Sequence, residues 1–214
     1  MSAKKVELTM DKFNEMLCQC PVVAILRGIL PSDVLRVCEI LTASGIRLIE
    51  VPLNSPDALE SISIASEGIG SKALIGAGTV LTKDDVSGVA SAGGTFIISP
   101  NTNPKVIRKT KKLGLISMPG FLTPTEAFAA IEEGADFLKC FPAGSMGVNY
   151  LKDLRAVIKH PIVSVGGISN SNINDFLSVS VAVGIGSSLF KPGKSDDAIR
   201  KDAILLMEAI KNGK

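Results

Sequence analysis

Lys139 lies near the carboxyl end of a mainly apolar stretch, Ala135–Pro142, whose composition is that of a short buried strand ending at a proline. A lysine is rarely buried unless another group pairs with it or uses it. Burial disfavours the ammonium form and lowers the lysine pKa, which produces an amine that can form a Schiff base with a ketone. The alternative is a structural lysine whose ammonium extends to the protein surface.

Two further charged residues lie in or directly after apolar runs. Glu50 belongs to the run Leu48–Val51, and Arg27 follows the run Val22–Leu26. A carboxylate close to Lys139 could act as a general acid and base. It could equally form a structural ion pair with Lys139 or Arg27, since such pairs also perturb pKa values.

Two glycine-containing turns follow the last two apolar runs. Their sequences are Val165-Gly166-Gly167-Ile168-Ser169 and Gly184-Ile185-Gly186-Ser187-Ser188. Glycine lets backbone N–H groups approach an anion without obstruction by a Cβ atom. Either turn alone is a weak signal, but the two together, at the ends of neighbouring strands, indicate a phosphorylated ligand.

The elements that must position these residues follow a regular alternation. The apolar runs are Val22–Leu26, Leu48–Val51, Ala73–Ala77, Thr95–Ile98, Leu115–Met118, Phe137–Cys140, Ile162–Val165 and Ala182–Ile185. The amphipathic stretches between and after them are Ser32–Ser44, Pro56–Glu67, Thr82–Ala92, Pro104–Leu113, Pro124–Glu133, Val148–Lys159, Ser171–Ser178 and Asp196–Lys211. Eight such units predict an α/β fold, a (β/α)8 TIM barrel, preceded by a short helix over Thr9–Gln19.

We expect residues 1–214 to form one barrel domain, because no linker interrupts the repeat. A doubly wound open sheet is the alternative fold, but Arg27-Gly28-Ile29-Leu30 lacks the glycine-rich turn that usually follows its first strand. In a barrel, the chemistry lies at the carboxyl ends of the strands. If Lys139 points inward, alternation places Phe137 and Phe141 inward as well, with Glu50 on the inner face of the second strand.

Composition excludes several classes of function. The net charge is only +2, and no block of basic residues predicts binding to nucleic acid or an anionic membrane. No apolar run is long enough to span a membrane, and the N-terminus lacks a signal core. The four cysteines lack the paired spacing of a metal site, so we expect a cytoplasmic protein with reduced thiols and no metal ion.

These residues resemble the class I aldolases that cleave 2-keto-3-deoxy-6-phospho sugar acids. The resemblance covers about residues 21–211. It is carried by Ala24-Ile25-Leu26-Arg27-Gly28, Ile49-Glu50-Val51, Gly76-Ala77-Gly78-Thr79-Val80-Leu81, Pro119-Gly120, Leu138-Lys139-Cys140-Phe141-Pro142 and Gly166-Gly167-Ile168.

Two positions are similar to the galactonate-cleaving branch of this family and differ from the gluconate-cleaving branch. Glu50 is followed by Val51-Pro52-Leu53-Asn54-Ser55-Pro56, and Val165 stands where gluconate enzymes usually carry threonine. In those enzymes the threonine lies beside the C4 hydroxyl of the substrate. The resemblance thus implies that an apolar residue at this position would leave the C4 hydroxyl of one epimer without a partner, which costs about 1–3 kcal/mol. Phe121-Leu122 are bulkier than the residues of the family pattern, a departure that bears on the shape of the sugar pocket.

The resemblance implies a metal-independent lyase with Lys139 as the Schiff-base lysine and Glu50 as its acid and base. It implies a substrate-binding set, of which Arg27 and Thr79 would take the pyruvate carboxylate. That set is Arg27, Thr79, Pro100, Phe141 and Val165. The implied phosphate-binding set is Gly166, Gly167, Gly186, Ser187 and Ser188. The partners implied are a phosphorylated keto sugar acid, pyruvate, and two further copies in a homotrimer.

Three other functions stay open at this point. The first is the same chemistry on 2-keto-3-deoxy-6-phosphogluconate or 4-hydroxy-2-oxoglutarate. The second is a phosphosugar isomerase or epimerase in which Glu50 is the base and Lys139 acts only electrostatically. The third is a non-catalytic protein that binds the sugar acid without turnover.

Overall fold

The computed structural model describes residues 3–213, with side chains from residue 10 onward. Its strands are β1 Val22–Ile25, β2 Leu48–Pro52, β3 Leu74–Gly78, β4 Phe96–Ile98, β5 Ile116–Met118, β6 Gly120–Phe121, β7 Leu138–Cys140, β8 Ile162–Val165 and β9 Ala182–Ile185. Its α-helices are α1 Ala3–Gln19, α2 Pro31–Ala43, α3 Ala58–Ile69, α4 Lys83–Ser91, α5 Pro104–Lys112, α6 Pro124–Glu132, α7 Ala143–Val157, α8 Ile173–Leu177 and α9 Asp196–Asn212.

All strand pairings are parallel, in the order β5-β4-β3-β2-β1-β9-β8-β7-β6. The segments β5 and β6 are two parts of one barrel strand, separated only by Pro119, which has no N–H for the ladder. β5 pairs with β4 and β6 pairs with β7, so this divided strand closes the sheet. The predicted (β/α)8 barrel is therefore confirmed, with the fifth strand in two segments.

Side chains on the strands divide into two layers, as the period of two requires. The inner layer fills the barrel and includes Leu48, Phe137 and Val163. The outer layer packs against the helices and includes Ile49, Leu138 and Cys140. The inward orientation predicted for the faces that carry Glu50 and Lys139 is confirmed, because their neighbours belong to the outer layer.

The amino end of the barrel is closed by α1. Phe13 is fully buried in the inner layer, with its ring centroid 5.7 Å from that of Phe96 and 5.1 Å from that of Phe137. The helix begins at Ala3, so the start predicted at Thr9 was too late, and Thr9 lies within the helix. The opposite, carboxyl end of the barrel is the open end.

One helix differs from its predicted bounds in a way that affects the site. The seventh begins at Ala143, not at Val148, and Gly147 within it has non-helical angles (φ 82°, ψ 164°). The predicted stretch, Val148–Lys159, therefore included only the part of this helix that follows Gly147. The extra first turn packs against the Gly166–Gly167 turn at the open end of the barrel.

Candidate active site

Lys139 lies on β7 and reaches the open end of the barrel from inside. Its neighbours in the ladder are Gly120 on β6 and Val163 on β8. Only 5% of the residue is exposed, and Nζ lies 5.1 Å from the centroid of the Phe141 ring. The amine is therefore held in a largely apolar environment and contacts the face of an aromatic ring that attracts its charged form.

Glu50 occupies the neighbouring interior space on β2. It is 1% exposed, and its Oε2 atom has no hydrogen-bond partner among the residues that the structure describes. A Cβ atom at Gly78 would lie 2.5 Å from Oε1 of Glu50, so the carboxylate fills the space next to the bare Cα of Gly78. A buried carboxylate oxygen without a partner is costly, and such groups concentrate at functional sites.

The two buried charges perturb each other. Burial lowers the pKa of the Lys139 ammonium; Glu50 partly raises it again, and Arg27 lowers it further. Burial raises the pKa of the Glu50 carboxyl, and the positive charges of Lys139 and Arg27 offset part of that rise. Both shifts favour the neutral forms, so an uncharged amine and a carboxyl group that can give or take a proton become accessible closer to neutral pH.

Arg27 is exposed at the end of β1, and a polar contact orients its guanidinium. Its Nη1 atom donates to Oδ1 of Asn54 at 2.6 Å. The next backbone N–H, of Gly28, donates to Oγ of the buried Ser55 at 2.9 Å. The loop that follows Glu50 therefore supports the loop that carries Arg27.

Thr79 directly follows β3 and has a positive φ of 57°. A β-branched residue rarely adopts this left-handed conformation, which usually persists only where its surroundings enforce it. Such strain is common at ligand sites. The unusual backbone of Thr79 is thus consistent with a role in the cavity, and Thr79 does line it.

The Gly166–Gly167 turn has positive φ angles of 97° and 71°, which favour glycine. The first turn of α7 touches it closely, because the N–H of Gly144 donates to the carbonyl of Gly166 at 2.8 Å. A Cβ atom at Gly144 would lie 2.7 Å from that same oxygen. This contact turns the Gly166 carbonyl towards α7 and requires glycine at residue 144.

A cavity of about 810 Å³ joins these features at the open end of the barrel. Nearly all of the predicted site residues line it, namely Arg27, Thr79, Pro100, Lys139, Phe141, Val165, Gly166, Gly167, Gly186, Ser187 and Ser188. Glu50 is the exception, since it lies in the buried inner layer and does not contribute to the cavity surface. The tertiary structure therefore brings the predicted residues together, with the carboxylate set into the wall.

Several residues that shape this site were not predicted from the sequence. Asn54 and Ser55 support the Arg27 loop, and both belong to the segment after Glu50 that is similar to the galactonate-cleaving enzymes. Lys191 lines the cavity, and Lys194 bonds to the carbonyls of Ser188 and Leu189. Their sequence signal was weak, because a lysine in a loop is usually a solvated surface residue.

Val165 and Phe121, two residues expected to affect the substrate pocket, lie in different parts of the structure. Val165 is 5% exposed and lines the cavity, so an apolar group faces the ligand space. Phe121, by contrast, is 2% exposed and belongs to the outer layer that packs against helices. The bulk of Phe121 therefore lies outside the cavity.

The described part of the chain lacks two features that would indicate other functions. Within residues 3–213, no helix has the length and hydropathy needed to span a membrane. Among the side chains that the structure describes, no cluster of three or more His, Cys, Asp or Glu residues is placed to hold a metal ion.

A parallel barrel with a buried lysine and a buried carboxylate at its open end is typical of enzymes that process carbonyl compounds. The family model described as "KDPG and KHG aldolase" matches residues 13–204, nearly the whole chain. The protein therefore belongs to the KDPG and KHG aldolase family, as the sequence resemblance predicted.

Within this family, the chain is similar to several individual enzymes. The chain is 42% identical to the probable 2-dehydro-3-deoxy-6-phosphogalactonate aldolase of Rhizobium meliloti, over 94% of this chain and 96% of the relative. It is 38% identical to the 2-dehydro-3-deoxy-6-phosphogalactonate aldolase of Escherichia coli K12, over 88% and 94%. The KHG/KDPG aldolase of the same organism is 30% identical over 94% and 96%.

Solved structures of aldolases from the same family also superimpose on the chain. A structure described as native KDPGal superimposes with a TM-score of 0.89 at 36% identity, over 91% of this chain and 96% of the other. The KDPG aldolase of Legionella pneumophila, with pyruvate captured as a covalent carbinolamine intermediate, gives a TM-score of 0.78 at 26% identity, over 93% and 96%.

Proposed function

We propose that this protein is a class I aldolase that cleaves 2-keto-3-deoxy-6-phosphogalactonate to pyruvate and glyceraldehyde 3-phosphate. The observation that carries the proposal is the buried amine of Lys139 beside the buried carboxylate of Glu50, at the open end of the barrel. The galactonate relatives, which are 38% and 42% identical, support this substrate.

In this mechanism the neutral amine of Lys139 attacks the C2 carbonyl of the substrate and forms a carbinolamine. Glu50 moves protons through a water molecule while the carbinolamine loses water to become the iminium. Glu50 then takes the proton of the C4 hydroxyl, again through a water molecule, and the C3–C4 bonding electrons pass into the iminium to form an enamine. Glyceraldehyde 3-phosphate leaves, the enamine is protonated at C3, and hydrolysis releases pyruvate and the free amine.

Each group of cavity residues has a role in this mechanism. Arg27 and Thr79 hold the carboxylate of the pyruvyl unit, because a guanidinium can bind a carboxylate through two parallel hydrogen bonds. Pro100, Phe141 and Val165 contact the carbon chain. The phosphate is held by Gly166, Gly167, Gly186, Ser187 and Ser188, all of which line the cavity.

The reaction as proposed needs no metal or other cofactor, since the iminium accepts the electrons of the broken bond. Incubation with EDTA should leave the rate unchanged. Activity that disappears with EDTA and returns with a divalent cation would contradict this part of the proposal.

The deciding experiment is borohydride reduction in the presence of pyruvate, followed by peptide mass spectrometry. The expected result is one covalent pyruvyl adduct on Lys139, with no adduct and no cleavage activity in Lys139→Met. The exposed Lys152 on α7 offers a matched control, so Lys152→Met should behave like the unchanged protein. An isomerase or a binding protein would gain no adduct.

The proposal extends to a homotrimer in the cytoplasm. One chain of a designed protein cage, which was built by fusing symmetric oligomeric domains, superimposes on this chain. The TM-score is 0.89 at 36% identity, over 91% of this chain and 73% of the cage chain. Leu59, Leu81 and Phe128 expose 42%, 46% and 44% of their surface, which a subunit interface would cover. Light scattering after size-exclusion chromatography tests the trimer directly.

A further inference from the structure

Residues of the turn Gly186–Phe190 line one side of the cavity. Lys194 binds this turn through two of its backbone carbonyl groups. Nζ of Lys194 donates to the carbonyl of Ser188 at 3.0 Å and to the carbonyl of Leu189 at 2.7 Å. The same ammonium pairs with the carboxylate of Asp202 on α9. Only 11% of the Lys194 side chain is exposed, so this is a largely sequestered cation with three defined partners.

These contacts determine which backbone groups of the turn remain for a ligand. The N–H groups of Leu189 and Phe190 both donate to the carbonyl of Gly186 at 2.9 Å. The N–H groups of Ser187 and Ser188 have no partner among the residues that the structure describes, and both residues line the cavity. The turn thus offers its unpaired donors to the cavity, while Lys194 takes two of its carbonyl oxygens.

A second contact joins this turn to the other glycine turn. The hydroxyl of Ser188 donates to the carbonyl of Ile168 at 3.1 Å. The Ser188 hydroxyl proton is therefore already used in the protein, and the Ser188 backbone N–H is the donor left for an anion. The Ser188 hydroxyl therefore links the two glycine turns to each other. Lys194 in turn links them to α9 through its ion pair with Asp202.

We propose that Lys194, anchored by Asp202, is a positioning residue that holds this turn in the conformation that binds the substrate phosphate. This inference rests on the proposed function, because it concerns the phosphate end of the same cavity. Lys194 acts through the turn, since its ammonium binds the carbonyl oxygens of Ser188 and Leu189 and Lys194 is not among the residues that line the cavity. Hydrogen bonds from a charged donor are stronger than neutral ones, which suits a small turn that must stay ordered without a ligand.

The experiment compares a phosphorylated substrate with its unphosphorylated counterpart. In Lys194→Met, the KM for 2-keto-3-deoxy-6-phosphogalactonate should rise about tenfold, the effect of losing one or two charge-assisted hydrogen bonds, with kcat nearly unchanged. Cleavage of 2-keto-3-deoxygalactonate should not change, because that substrate does not use the phosphate subsite. Lys194→Arg should recover most of the affinity, since it keeps the charge and the donors.

Two further variants complete the design. Asp202→Asn should raise the same KM by a smaller factor, because the ammonium keeps its carbonyl partners but loses its anchor. Lys201→Met removes an exposed charge from the neighbouring position on α9 and should match the unchanged protein. If Lys194→Met does not fold, Asp202→Asn and Lys194→Arg carry the comparison.

The results separate this inference from the proposed function. Equal KM values for Lys194→Met and Lys201→Met would overturn the inference, as would an equal loss with both substrates, which indicates general damage to the fold. In either case borohydride trapping of pyruvate on Lys139 would still succeed. Failure of trapping in the unchanged protein would overturn the proposed function instead.

Discussion

The carboxylate of Glu50 occupies the space that a side chain at Gly78 would need. A Cβ atom at residue 78 would lie 2.5 Å from Oε1 and 3.0 Å from Oε2 of Glu50. The two residues are on neighbouring strands, β2 and β3. The absence of a side chain at Gly78 is therefore what allows the acid to lie inside the wall of the cavity.

Gly78→Ala should displace the Glu50 carboxylate and lower kcat by at least about 100-fold, the usual effect of losing a positioned acid or base. The measurement is steady-state cleavage of the phosphosugar acid. Gly88→Ala is the matched control, because its added methyl group meets only the end of the exposed Leu59 side chain. Full activity in Gly78→Ala would contradict the role of Glu50.

Asn54→Ala should raise the KM for the sugar acid about three- to tenfold, because the Arg27 guanidinium loses the amide oxygen that orients it at 2.6 Å. The same variant should weaken binding of free pyruvate, measured as the concentration that gives half-maximal borohydride trapping. Asn149→Ala, an exposed change on α7, serves as control. Unaltered trapping in Asn54→Ala would remove Arg27 from the carboxylate site.

Val165→Thr should shift the preference between epimers towards 2-keto-3-deoxy-6-phosphogluconate. The added hydroxyl gives one epimer's C4 hydroxyl a partner, and a buried polar group that gains a partner changes discrimination by about 1–3 kcal/mol. The measurement is the ratio of kcat/KM for the two epimers. The exposed Val181 provides the control Val181→Thr, and a ratio that is equal in both variants would exclude this role for residue 165.

Glu50→Gln should stabilise the protein, and the gain should grow with pH. Burial raises the pKa of Glu50 above its ordinary value of 4.5. At a pH between the pKa of the unfolded state and that of the folded state, the folded protein keeps a proton on Glu50 that the unfolded chain has lost. The contribution of the neutral Glu50 carboxyl to the free energy of unfolding is therefore fully present below pH 4.5 and is lost as the pH rises through the folded pKa.

Glutamine keeps the neutral form at every pH, so the two proteins should unfold with similar free energies at pH 4. At pH 7 the variant should be the more stable of the two, because it carries no buried carboxylate charge. Urea unfolding at both values measures the difference. The exposed Glu60→Gln on α3 controls for the loss of one negative charge. A gain that shrinks with rising pH would contradict the direction of the pKa change.

Phe13→Ala should lower the free energy of unfolding by about 3–5 kcal/mol, since it removes a fully buried ring from the inner layer. Phe13 packs against Phe96 and Phe137 at the amino end of the barrel, so kinetic constants below the melting transition should change little. Phe128→Ala removes a ring that is 44% exposed and should cost far less. Chemical denaturation measures both variants, and equal losses would show that α1 does not close the core.

The positions of the site residues along the strands could be predicted, because side chains alternate between the two faces of a strand. This alternation placed Glu50 and Lys139 inside the barrel from residue order alone. The repeat of strand and helix predicted which end of each strand would face the cavity. The sequence strings likewise predicted the family to which the chain belongs.

Local patterns could not predict contacts between loops, because those contacts join residues far apart in the chain. The bonds from Arg27 to Asn54 and from Ser188 to Ile168 depend on where separate loops meet at the open end of the barrel. The break at Pro119 that divides one strand also emerged only when both neighbouring strands were in place.

The residue types that can do chemistry here, and the strands that carry them, follow from the order of the amino acids alone. Only the tertiary structure decided that Glu50 would be sealed in the wall while Lys139 reaches the cavity. The physical reason is that burial and pKa depend on distances in three dimensions. Those distances are set by packing, here by the bare Cα of Gly78 on the adjacent strand.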